Sequence, residues 1–183
     1  MKKTLAAFLC ILFLSCSNDK TYDNKDVSFF PIAGNINADL KELDSLPLGV
    51  NKYTTVNDKT DTSTASKEEL HAMAKQMITP DISSTELKNF YKETVFYDNS
   101  SDFLTMSYTT ESEKPVVRKI DVLIRQETSK LRSIYVEKLE QRNDSTINTR
   151  MVWTAGKSLQ VITMTGYKGK EENSTVKYVW GME

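Results

Sequence analysis

The chain has 183 residues, 24 Lys and Arg against 25 Asp and Glu, one histidine and two cysteines, for a formal net charge of −1. A balance this close to neutral argues against nucleic-acid binding through a clustered basic surface. Two cysteines exclude a disulfide-built scaffold and a thiolate metal cluster, so a domain of this length has to hold itself together by packing.

The N-terminus begins with the basic stretch Met1-Lys2-Lys3, continues with an almost wholly apolar run from Thr4 to Leu14, and closes with Ser15-Cys16. Positive end, apolar middle and small residue before a cut is the layout of a secretory signal peptide. The apolar run is about half the roughly twenty residues that a helix needs to cross a bilayer, so it predicts a cleaved leader and not a span. Phe13-Leu14-Ser15-Cys16 resembles the lipobox of bacterial lipoproteins, with Phe13 standing where leucine is usual. The resemblance implies removal of residues 1–15 and lipid attachment at Cys16; the alternative is an ordinary secreted chain with an incidental cysteine. Cys10 follows Leu9 and fits the pattern poorly.

Residues 16–27 are polar and without apolar period after Cys16, which predicts a lipidated N-terminus and a flexible tether. Apolar character returns at "SFFPI", residues 28–32, and residues 28–183 are expected to form one domain. Ile36, Leu40 and Leu43 fall on one helical stripe that ends before Pro47. Ser66 and Glu69 have capping-box spacing ahead of the face Leu70, Met73, Ala74, Met77 and Ile78, and Pro80 stops that helix. Ser83 and Glu86 repeat the capping pattern before Leu87, Phe90 and Tyr91, which predicts a third helix. Between the first two, residues 50–64 read as a hairpin or irregular arm that turns at Asn57-Asp58.

From Glu93 onward the period changes to two. Strands are expected at 93–97, 103–110, 116–126, 131–140, 146–154, 158–167 and 174–180, joined by short turn-rich links. Val116, Arg118, Ile120, Val122 and Ile124 share one face, as do Ile147, Thr149, Met151 and Trp153. Short links favour neighbouring antiparallel strands over parallel crossovers. The expected fold class is α+β: two or three N-terminal helices packed on a curved antiparallel meander of about six to seven strands.

The segments "SFFPI" (28–32), "LDSLP" (43–47), "KYTTVNDKTDT" (52–62), "YKETVF" (91–96), "SIYVEK" (133–138) and "VWTAGKSLQVIT" (152–163) resemble a family of small Bacteroidota lipoproteins. That resemblance implies no activity and no functional residue beyond the lipidated Cys16. The expected architecture is also similar, in shape alone, to periplasmic lipoprotein-carrier and sensor domains, and shape does not fix function.

Residues that carry chemistry are sparse. His71 is the single histidine and lies on the shoulder of the second helix's apolar face, where a boundary role fits better than a catalytic one. One histidine and no free thiol speak against a zinc site, which needs several His, Cys or carboxylate ligands to converge. Glu68-Glu69, Glu111/Glu113 and Glu171-Glu172 invite a glycosidase reading, but the first pair opens a helix and the others fall in turns. With six glycines in the chain there is no glycine-rich phosphate loop. Trp153 reads as core; Trp180, Tyr135, Tyr167 and Tyr178 leave open an aromatic-lined groove. Asp44-Ser45-Leu46 and Asp144-Ser145-Thr146 resemble an O-glycosylation triplet of Bacteroidota, and the second is equally good as a plain turn.

Taken together, these residues predict a non-enzymatic binding or accessory module of the cell envelope, anchored at the outer membrane through lipid on Cys16. Its partner is expected to be a protein or a small apolar ligand, with no cofactor, no metal and no nucleic acid. Two alternatives stay open: an envelope hydrolase whose carboxylates converge only in the fold, and a structural subunit of an envelope complex.

Overall fold

The computed structural model describes residues 21–98 and 100–181. The expected leader, Cys16 and the first part of the tether lie outside the described residues. In chain order the elements are α1 (Ile32–Ser45), β1 (Val50–Val56), β2 (Lys59–Ala65), α2 (Lys67–Ile78), a 3-10 turn (Lys88–Phe90), β3 (Lys92–Asp98), β4 (Phe103–Thr109), β5 (Val117–Arg125), β6 (Leu131–Arg142), β7 (Ser145–Thr154), β8 (Ser158–Tyr167) and β9 (Lys170–Val179).

The expected fold class needs correction. Nine strands form a single antiparallel sheet in the order β2-β1-β9-β8-β7-β6-β5-β4-β3, and among the described residues there are only two α-helices. The molecule is a large sheet with two helices, in place of two or three helices on a meander of six to seven strands. Two physical causes account for the difference. The polar arm between the helices is a hairpin of two seven-residue strands, and its first strand pairs with the last strand of the chain, β9, Asn51 opposite Val179 and Thr54 opposite Val176. The third helical stretch closes only a 3-10 turn, because Ser83 is committed to Asp81: its amide and hydroxyl donate to Asp81 Oδ1 at 2.9 and 2.8 Å. A serine held in such a local turn no longer caps a helix.

The two helices form for the reasons the sequence supplies. In α1 the buried residues are Ile36, Leu40 and Leu43, one stripe at spacings of four and three. It ends at Ser45 because Leu46 precedes Pro47 and takes an extended conformation. In α2 the Ser66 hydroxyl accepts from the Glu69 amide at 3.1 Å, and Leu70, Ala74 and Met77 are buried. The buried Lys138 amine of β6 donates to the carbonyls of Gln76 and Thr79 at the far end of α2. A cation there satisfies open carbonyls and suits the negative end of the helix, while burial lowers the lysine pKa below its usual value.

Side chains of α1 and α2 enter the same core as Tyr108, Ile120, Val122, Ile134, Val136, Met151, Trp153, Leu159 and Tyr178 of the sheet. Across the sheet these residues form rows. Tyr108, Ile120, Val136, Met151 and Val161 lie opposite one another in turn, as do Val122, Ile134, Trp153, Leu159 and Tyr178. A register shift between Val117 and Lys119 turns Val117 into the core and leaves Val116 half-buried, one residue off the simple alternation.

Residues 21–27, expected as tether, are docked. The Tyr22 amide donates to the Asn89 carbonyl at 2.6 Å, and the buried Asn24 side-chain amide donates to the carbonyls of Lys88 and Tyr91 at 2.6 and 2.7 Å.

Candidate functional site

The residues singled out in the sequence are dispersed. His71 Nε2 lies 3.1 Å from Asp44 Oδ1, with both side chains well exposed, so the histidine forms a surface pair between α2 and the end of α1. Glu68 is exposed, whereas Glu69 accepts from Lys52 at 2.7 Å and from the Tyr178 hydroxyl at 2.9 Å, and those two donors lower its pKa. Glu111, Glu113, Glu171 and Glu172 are exposed. Other partly shielded carboxylates serve separate partners: Asp39 the Trp153 indole, Glu93 the Tyr108 hydroxyl, Asp121 the Ser107 hydroxyl and Glu137 the Asn148 amide. Among the described residues no three His, Cys, Asp or Glu side chains group as metal ligands.

The aromatic-groove expectation divides. Trp153 and Trp180 are buried and pack against each other with ring centroids 5.0 Å apart and planes tilted by 48°, and Tyr178 is buried beside them in the sheet. They are core. Tyr167 is exposed under the Lys168 amine, 4.9 Å from the ring centroid. Of the two glycosylation-like triplets, Ser45 donates to the Glu42 carbonyl at 2.6 Å, and Asp144 lies in the turn from β6 into β7, with Ser145 opening β7.

Three cavities among the described residues are small or polar. An apolar space among Ile32, Met77, Ile78, Pro80, Ile82 and Ile120 measures about 20 Å³. Two larger spaces, about 260 and 270 Å³, are lined chiefly by polar side chains: Thr55, Asn57, Asp58, Glu171, Asn173 and Thr175 in one, and Glu113, Lys114, Arg118, Leu139 and Gln141 in the other.

Among the described residues the longest run of successive exposed apolar side chains lies on β3, the terminal strand of the sheet, with Val95 and Tyr97 on one face and Phe96 on the other. Val95, Phe96 and Tyr97 are 41%, 63% and 62% exposed, three successive residues in the middle of a strand whose only described partner is β4. An edge strand presents a row of unpaired amides and carbonyls along its outer side, and sheets ordinarily blunt such an edge with charge or proline. The opposite edge follows that rule: β2 reads Lys-Thr-Asp-Thr-Ser-Thr-Ala, polar until its last residue. Strand β3 does not. Sequence periodicity identifies it as a strand, yet nothing local marks it as terminal, so its exposure is not readable from the chain alone.

Among the described residues no helix is long and apolar enough to cross a membrane. No family model matches the chain, nor does any curated protein or solved structure.

Proposed function

We propose that the chain is a lipid-anchored accessory module of the bacterial outer membrane, attached through Cys16, that engages a protein partner by strand addition at β3. The exposed run Val95-Phe96-Tyr97, on a sheet edge that has no partner strand among the described residues, carries this reading. Strand addition draws affinity from main-chain hydrogen bonds and specificity from alternate side chains, and β3 offers both along its full length. A small apolar ligand is less well served. Pockets for such molecules run to about 300–1,000 Å³, and the apolar space beside α2 is about 20 Å³. The short basic and apolar leader ending at Ser15-Cys16 supports the anchor.

Two measurements in cells test the reading. A fatty-acid analogue should label the wild-type chain and not Cys16→Ser; label retained in the variant removes the anchor. A photo-reactive residue placed at Phe96 should capture protein, and the same residue at Thr62 on β2 should not. Equal capture at both positions, or none at either, overturns the edge as the working surface.

A further inference from the structure

We infer that β3 pairs with β3 of a second copy of this chain, antiparallel about a two-fold axis through Val95, so that one sheet runs through both molecules. The inference rests on the reading of the β3 edge as the interaction surface and names its occupant.

The strand is complementary to itself in this register. Lys92 stands opposite Asp98 of the second copy at both ends, Glu93 opposite Tyr97, Thr94 opposite Phe96, and Val95 opposite Val95. Opposite charges and an aromatic facing a β-branched residue are favourable cross-strand pairs. Each pair joins positions on the same side of the sheet, so the buried and solvent faces of the two copies stay aligned. The register also uses all seven residues of the strand. Moving its centre by one residue drops the Lys92–Asp98 pairs, and parallel in-register pairing sets Lys92 beside Lys92 and Asp98 beside Asp98. Asp98 is a dependable anion: the Ser100 hydroxyl, the Ser101 hydroxyl and the Ser100 amide hold its carboxyl down to about 2.

The other edge lacks this property. Strand β2 centred on Thr62 sets Lys59 opposite Ala65 and Asp61 opposite Ser63, with no charge matched. A two-fold contact through one edge is also closed, because it consumes the sticky edge of both partners and leaves only polar β2 edges outside.

Charge reversal tests both the register and the partner. The full-length chain, extracted in detergent, should sediment as two copies per particle. Lys92→Asp and Asp98→Lys should each sediment as one copy, since each sets like charges opposite one another. An equal mixture of the two variants should recover the two-copy particle, because every facing pair is then Lys with Asp. That recovery also establishes that both variants are folded. A wild-type chain that stays one copy, single variants that stay two copies, or a mixture that fails to recover each overturns the inference. A one-copy wild type that still captures another protein at Phe96 removes the second copy while the edge reading stands; with no capture at Phe96, both fall.

Discussion

Asp39 on α1 accepts a hydrogen bond from the indole nitrogen of Trp153 on β7, Oδ2 to Nε1, at 2.8 Å. The same oxygen accepts from the Gly156 amide at 3.1 Å in the turn between β7 and β8. One carboxylate thereby fixes a helix, a strand and a turn, and satisfies the one polar atom of the largest fully buried side chain. Asp39→Ala leaves the buried indole donor unpaired, which should cost about 1–3 kcal/mol. Trp153→Ala should cost about 3–5 kcal/mol through the cavity it opens, and the double variant should cost less than the sum, since the two share one contact. Urea unfolding measures all three; wild-type stability in Asp39→Ala would show that the bond contributes nothing.

Three buried tyrosines donate their hydroxyls inward: Tyr91 to the Val117 carbonyl at 2.8 Å, Tyr108 to Glu93 at 2.8 Å and Tyr178 to Glu69 at 2.9 Å. Burial raises the pKa of all three above the ordinary value, and for Tyr108 and Tyr178 the neighbouring glutamate raises it further. A raised acid stays neutral in the fold but ionises in the unfolded chain once pH passes about 10, so its contribution is complete below that pH and lost above it. Stability should therefore fall above pH 10 by about 1.4 kcal/mol per pH unit for each tyrosine. Tyr91→Phe should flatten the slope by one such increment, measured by denaturant midpoints at successive alkaline pH values. An unchanged slope would mean that Tyr91 ionises in the folded protein.

His71→Ala should change little. The pair with Asp44 is solvent-exposed on both sides, and exposed ion pairs contribute about 0–1 kcal/mol. Thermal unfolding within that range of wild type is the expected result, together with undiminished capture at Phe96. Loss of a hydrolytic activity on this substitution would revive the enzyme alternative.

Gly181 sits where no side chain fits. A Cβ there would lie 2.4 Å from the Gly156 carbonyl oxygen and 2.9 Å from Lys157 Cα, both backbone atoms of the β7–β8 turn. That turn is also held by the Trp180 and Gly181 amides, which donate to the Lys157 carbonyl at 3.0 and 3.2 Å. Gly181→Ala should destabilise by about 1–3 kcal/mol, the usual range for overpacking. Amide exchange should quicken at Gly156, whose turn has to move. Unaltered exchange at Gly156 together with wild-type stability contradicts the close approach.

The parts of this fold that could be read from the chain are those written in local patterns. Alternation located β3 to β9, and the Ile36–Leu43 and Leu70–Met77 stripes located both helices, because burial of one face imposes a period. What could not be read depends on distant partners. Residues 50–65 are mostly threonine, lysine and asparagine, and nothing in them says that Asn51 will lie opposite Val179. Asn24 looked like linker because its burial rests on two carbonyls near residue 90, a match that hydropathy does not register. The candidate site was half legible. "TVFY" announces a strand, but only the strand order reveals that no further described strand pairs along its outer side.

The placement of β9 between β8 and β1 has a kinetic consequence. Among the described strands it alone joins the β1–β2 hairpin to the rest of the sheet. A growing chain that stops short of Lys170 has a hairpin with nowhere to dock and, besides the terminal edges β2 and β3, two further open edges, β1 and β8. The pairing that completes the sheet joins the first third of the chain to its final strand, and contacts so distant in sequence slow folding. The sheet thus cannot close over the β1–β2 hairpin until β9 has been made.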